Sequence, residues 1–385
     1  MKKIVRGTLG AILSLSIAFC TGCAKNTEHD TIVVRNEQMA QNTQNTQTPS
    51  SELVEAPGRF ESHVTLPSGL RAVFAAPETD FSLDGSNLDK LCANVSDLGM
   101  NAVIIETVKN GTDYYDCELD GAESDAVSLA VAAAHKADLG AYVTLDVNSL
   151  LKKVSERNGG LGSGFSAAVH KFVLKYGCEG VLLTDYYTAD TPETHEEYLK
   201  TNSDIDYENW LYETNEYVLS TVSEVIRKTS DTTAVGLLAE DMWANSTSNP
   251  SGSQTADIVQ SLYDGHCDTK KYIENGYFDF VMVKAYGIIG DSRLDFETVV
   301  SWWNDLAKQN KVKTYVCHLN ERIGARSGWN ADQLLQQLSV MKKLGGNIGG
   351  STFNSLSSLN ANPLQSTDTM KKFFADEINL DTTFQ

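Results

Sequence analysis

The sequence predicts an α/β fold of the (β/α)8 class, a TIM barrel in a single domain, on three observations. Eight short apolar runs recur along the chain, each continuous rather than alternating, as strands buried on both faces of a parallel sheet require. Amphipathic segments with helical spacing lie between them, and the run starts fall roughly 30 to 55 residues apart, the length of a β-α unit. The turn after the first run, Ala75-Ala76-Pro77-Glu78-Thr79, lacks the G-x-G-x-x-G of the rival open, doubly wound sheet.

Taken in order, the runs are 70–76, 101–107, 140–146, 179–185, 233–239, 278–283, 312–318 and 347–354. Between the first two, 87–99 places Leu88, Leu91, Cys92, Val95 and Leu98 on one helical stripe that stops at Gly99. Segment 164–176 repeats the pattern with Phe165, Val169, Phe172 and Val173, ending at Gly177. Asn330 is the expected N-cap of 331–344, whose Leu334, Leu335, Leu338 and Met341 face inward. The stretch 186–215 after the fourth run reads as an insertion overhanging the barrel mouth, with a polar content of Asp190, Glu193, His195, Glu196 and Glu197.

Ahead of the barrel, residues 1–22 read as a signal peptide. Lys2, Lys3 and Arg6 form a basic start, and Leu9 to Phe19 form an apolar stretch too short to span a bilayer. Cys20-Thr21-Gly22-Cys23 is similar to a bacterial lipobox, with small Gly22 ahead of Cys23 as the lipidated residue and Cys20 where an aliphatic residue is usual. Residues 23–60 hold a Gln/Asn/Thr run (41–47) with no apolar periodicity, too polar to offset the entropy of ordering, and read as a tether. The globular domain is then 61–385, on the extracellular face of a bacterial membrane and held there by lipid. With 51 acidic against 31 basic residues, a net charge of -20 and a pI near 4.7, the chain carries no basic stripe for nucleic acid. Past Cys23, Cys92, Cys117, Cys178, Cys267 and Cys317 show no C-x-x-C spacing, so neither zinc nor a dense disulfide framework is expected; Cys92, Cys178 and Cys317 read as core thiols, and a single bridge to Cys117 stays open.

Barrel chemistry sits at the C-terminal strand ends. There the sequence places Glu106, then Asp146 with Asn148 beyond, then Asp185 followed by Tyr186 and Tyr187. Next come Glu240-Asp241 with Trp243, then Lys284 and Tyr286, then His318 with Asn320 and Glu321, and last Asn354. Carboxylates and aromatics without a cofactor fingerprint suit glycoside hydrolysis. One carboxylic acid protonates the leaving oxygen, a second attacks or activates water, and aromatic faces stack on sugar rings. No cofactor and no metal is expected.

Several motifs then fall in one order. Arg71-Ala72-Val73-Phe74, Leu98-Gly99-Met100-Asn101-Ala102-Val103, Ala134-His135-Lys136 and Glu179 to Tyr187 are followed by Gly276 to Tyr286, Val300-Ser301-Trp302-Trp303 and Gly350-Ser351-Thr352-Phe353-Asn354. Together the chain resembles the bacterial glycosyl-hydrolase-like family 10, a barrel family of surface glycosidases, over nearly all of 68–376. The site departs from that pattern: the paired aspartates after strand four are reduced to Thr184-Asp185, the P-Q of strand six is Val283-Lys284, and S-P-x-G after strand five is replaced by Leu238-Ala239-Glu240-Asp241. The resemblance implies a hydrolase of a cell-envelope or environmental polysaccharide, with peptidoglycan glycan strands as the analogy suggests.

Asp185 is the first catalytic candidate, as nucleophile or base, and Glu240 is its partner as general acid, with a proton held by burial against Trp243 or by the Asp241 charge. Glu106, Asp146 and Glu321 are reserve partners. Lys284 and Tyr286 are candidates to orient substrate, Lys284 alternatively as an ion-pair partner of Asp185; Asn354 completes the wall. Trp243 is the expected stacking platform, whereas Trp302 and Trp303 read as helix packing. The competing reading is a catalytically inactive glycan-binding lipoprotein on the same barrel.

Overall fold

Eight parallel strands close on themselves in the computed structural model, which describes residues 64–116, 124–158, 162–201, 204–256 and 259–383. The signal peptide 1–22, Cys23, the 23–60 tether and Cys117 lie outside the described residues. The strands are β1 (Leu70–Ala75), β2 (Ala102–Ile105), β3 (Gly140–Asp146), β4 (Gly180–Thr184), β5 (Ala234–Ala239), β6 (Phe280–Ala285), β7 (Lys313–His318) and β8 (Ile348–Phe353). Each pairs in parallel with its neighbours in sequence, and β8 closes onto β1 with Leu70 opposite Gly350. The fold is the (β/α)8 TIM barrel that the runs predict.

Continuous hydrophobicity follows from two different burials. Along each strand one set of side chains points into the barrel, where Phe74, Ile104, Tyr142, Leu182, Leu238, Phe280 and Tyr315 pack on one another. Tyr142 and Tyr315 meet Phe280 edge to face at 6.0 and 5.4 Å. These rings need small neighbours: a Cβ on Gly236 would lie 2.0 Å from the Phe280 ring, and one on Gly180 would lie 2.7 Å from Tyr142. The alternate set, such as Val103, Val143, Leu183 and Val281, points outward under the helices.

The helices follow their stripes. α1 (Leu88–Asp97) ends ahead of Gly99, whose φ of 79° is left-handed. α2 is Ala126–Lys136, α3 Val147–Asn158 and α4 Gly162–Tyr176. The insertion holds α5 (Pro192–Thr201), which buries no side chain, and the start of α6 (Tyr207–Thr229), where Tyr198, Tyr207 and Trp210 cluster. α7 is Thr269–Glu274, α8 Phe296–Gln309, α9 Asp332–Leu344, α10 Leu356–Ala361 and α11 Ser366–Thr383. Asn330 is not the N-cap of α9. Ala331 already has helical angles, and Asn330 Oδ1 accepts from the Asp332 N–H at 3.0 Å one step further out. Cys92, Cys178, Cys267 and Cys317 are buried free thiols. Among the described residues no helix is long and apolar enough to cross a membrane.

The sixth strand starts two residues later than its apolar run because Asp279 has another task. One residue before each even-numbered strand stands a polar side chain that reaches back to the odd-numbered strand preceding it. Asn101 donates its N–H to the Arg71 carbonyl (2.9 Å) and accepts the Arg71 N–H on Oδ1 (2.8 Å). Glu179 clasps Ala141 in the same way at 3.0 and 2.7 Å, and Asp279 clasps Val235 at 2.8 and 2.8 Å. Asn347 closes the series through its Nδ2, which donates to the Val312 carbonyl at 2.7 Å. Asp279 is also the buried counter-charge of Arg227 at 2.9 Å. Asp279→Ala therefore strips a clasp and leaves a buried guanidinium without that carboxylate, and should cost about 3–5 kcal/mol. Asn101→Ala at its exposed position should cost about 1 kcal/mol. Urea unfolding midpoints of the two variants check the ranking.

Candidate active site

Inward alternation, carried to the C-terminal strand ends, decides which side chains line the mouth. Counting from Ala102 and Ile104 it reaches Glu106, from Tyr142 it reaches Asp146, from Ala234 and Leu238 it reaches Glu240, and from Phe280 and Met282 it reaches Lys284 and Tyr286. These positions, from four different strands, face one opening.

Lys284, inside β6 rather than beyond it, sets its Nζ 2.6 Å from Glu240 Oε1. The ion pair expected between Lys284 and Asp185 thus goes to Glu240. Glu240, read as a general acid, accepts from that ammonium on Oε1. Next to this pair, Asn354 Nδ2 donates to the Tyr286 hydroxyl at 3.3 Å, and that hydroxyl lies 3.6 Å from Cys317 Sγ. Asp241, half-buried behind Glu240, has its carboxyl pushed up to about 6, first by burial and then by the Glu240 charge, against the pull of Lys284 and Arg322.

Asp185 is out of step with β4. Gly180 and Leu182 fix the inward set, so residue 185 would face outward with Val181 and Leu183. It takes φ 41° instead, a left-handed turn that aspartate tolerates better than most residues, and it stands open to solvent. Loss of water on its protein side pushes its carboxyl up. A hydrogen bond from the Asn148 side chain and the Lys284 charge pull it back, and the Glu240 charge adds to the rise.

Asp146 ends β3 opposite Thr184 and caps α3, its Oδ1 accepting the Ser149 N–H at 2.8 Å. Burial pushes its carboxyl up to about 7. The Ser149 bond opposes the shift, the charges of Asp185 and Asp113 add to it, and Lys153, paired with Asp113 at 3.1 Å, lowers it. Asp146, read from the sequence as a reserve partner, has the inward parity that brings it to the mouth.

The remaining candidates have partners of their own. Glu106 is held by Lys109 through both oxygens, at 3.0 and 2.8 Å, with its carboxyl pushed up by burial and pulled back by that ammonium. Trp243 is not an open platform: it is buried, stacked on Trp302 at 5.7 Å, and its Nε1 donates to Asp268 at 2.9 Å. Trp303 is fully buried, as helix packing requires. Glu321 sits exposed in the short turn Asn320–Arg322. His318 is not a mouth wall. It has outward parity and lies between Phe296 and Phe353, with Nδ1 on Gln337 at 2.8 Å, and burial pushes it down to about 4.

No protein-family model matches the chain. The glycosyl hydrolase DigH of Escherichia coli is 22% identical over 178 residues, 44% of this chain and 40% of its own length. The glycosyl hydrolase YngK of Bacillus subtilis is 23% identical over 214 residues, 52% of this chain and 41% of its own length. The chain has distant relatives named glycosyl hydrolases, and it spans about two fifths of their length. The endo-1,4-β-mannanase of Rhizomucor miehei superposes with a TM-score of 0.51 at 12% identity, over 82% of this chain and 98% of its own, a likeness of fold.

The raised Asp146 carboxyl has a consequence for stability. From about pH 4 to about pH 7 the folded protein keeps a proton that the unfolded chain has released, so stability falls as pH rises through that window. Asp146→Asn keeps the acceptor for the Ser149 N–H and removes the titration. Its denaturation midpoint should gain on the wild type between pH 4.5 and pH 8, and equal slopes for both proteins would contradict the assignment.

Proposed function

We propose that this chain is a glycoside hydrolase acting on O-glycosidic bonds of a cell-envelope or environmental polysaccharide, related to the glycosyl-hydrolase-like family 10 and held outside the membrane by lipid on Cys23. What supports the reading is a mouth that gathers carboxyls from several strands in different surroundings: burial pushes Asp146 up to about 7, whereas for Asp185, also raised by burial, Asn148 and Lys284 pull against the rise. Asp146 then donates its proton to the leaving glycosidic oxygen as that bond breaks. Asp185 meets the developing oxocarbenium, as nucleophile or as the base that takes a proton from water. Glu240, oriented by Lys284, accepts hydrogen bonds from sugar hydroxyls, with Tyr286 and Asn354 as further polar contacts. Peptidoglycan glycan strands are the first substrate to try, on the strength of the family resemblance.

The test incubates wild type and Asp185→Asn with peptidoglycan and a polysaccharide panel, scoring released reducing ends. Asparagine keeps the left-handed tolerance, so the fold survives, and release should drop by about 10²–10⁴-fold. No release by the wild type, with sedimentation on one glycan retained, would replace hydrolysis by glycan binding. For the anchor, Cys23→Ser should move the protein from the membrane fraction to the soluble fraction.

A further inference from the structure

We infer that Asn148 is a positioning residue, which holds Asp185 in its left-handed turn and so brings an outward-parity carboxylate into the mouth. The consequence for catalysis rests on the hydrolase reading; the positioning itself does not. Asn148 is the second residue of α3, in the first turn, where backbone N–H groups have no partner within the helix. That N–H donates to the Asp185 carbonyl at 3.1 Å. The side-chain Nδ2 donates to the Tyr187 carbonyl at 3.0 Å, and the same amide draws the Asp185 carboxyl down against the rise from burial. One residue therefore holds the backbone at both ends of the Asp185–Tyr187 turn, with the acid at its start.

The grip is built into the barrel. Asn148 stands two residues past Asp146, whose side chain caps α3, so the carboxyl that ends β3 also sets the turn that presents Asn148 to β4. Within β4, Leu183 packs outward under the helices, and a regular continuation would send residue 185 the same way. The groups that face Asp185 are Lys284 from β6, Glu240 from the end of β5, Asp146 from the end of β3 and Tyr187 beyond β4. Lys284 is already bonded to Glu240. Asn148 adds a neutral amide to this set, which favours the anion of Asp185 without adding charge to the mouth.

The test follows the Asp185 carboxyl by ¹³C NMR titration in the whole protein and, with a glycan that the wild type cleaves, separates kcat from KM. Asn148→Ala should move the Asp185 titration to higher pH and lower kcat about 10–100-fold while KM stays within about twofold, because misplacing a reacting group by an ångström costs on that order. Asn148→Ser, which keeps a short donor, should recover part of both, and it carries the test if the alanine variant does not fold. Ser149→Ala disturbs the same turn through its bond to Asp113 without touching Asp185, and should leave the Asp185 titration in place. An Asp185 titration that is the same in Asn148→Ala and wild type overturns the inference, as does an equal shift in Ser149→Ala. A wild type without activity whose Asp185 titration still moves on Asn148→Ala removes the hydrolase reading and keeps the positioning.

Discussion

The structure depends on closing a parallel sheet, and closure depends on the strand starts being aligned around the ring. The clasps of Asn101, Glu179 and Asp279, with Asn347 as the fourth member, supply that alignment at alternate strands. Each takes up backbone groups at the lower rim and fixes how far one strand stands above the next. Because side chains alternate with a period of two, a slip of one residue would turn every inward side chain outward. The bottom of the barrel therefore controls which carboxylates appear at the top, about six residues away along each strand.

Between rim and mouth the barrel is a packed core. Tyr142, Phe280 and Tyr315 fill it against gaps left by Gly180 and Gly236, and this filling isolates the two ends from one another. The carboxylates at the upper end lie on a floor of apolar side chains, which removes water from one side of each. That shared cause raises Glu106, Asp146, Asp185 and Asp241 together, and individual partners then separate them. Lys109 draws Glu106 down, Asn148 and Lys284 draw Asp185 down, and Asp146 and Asp241 are left highest, at about 7 and about 6. The difference among these carboxyls is a property of the neighbours rather than of the residue types.

The departures from simple reading have the same origin. Glu240 and Lys284 lie on adjacent strands at the same depth, and inward parity for both makes their ion pair unavoidable once β6 is placed two residues later than its apolar run. Trp243 looks like a sugar platform as a lone aromatic behind a strand end, yet the loop folds it against Trp302 of α8. His318 ends a strand, but its parity sends it outward between Phe296 and Phe353. In each case a position at the strand end was legible, and the direction of the side chain required the register.

The sequence by itself determined the barrel, because eight two-faced strands and their amphipathic helices leave a single parallel closure that buries all of that apolar surface. It also determined the acidic mouth, since strand ends are local features of the chain. Only the tertiary structure decided which partners divide those acids from one another. That division rests on pairings between residues as far apart as Glu240 and Lys284 or Asn148 and Asp185, and on one left-handed turn that breaks the alternation. Burial, charge and hydrogen bonding act through space, and no local pattern of residues records them.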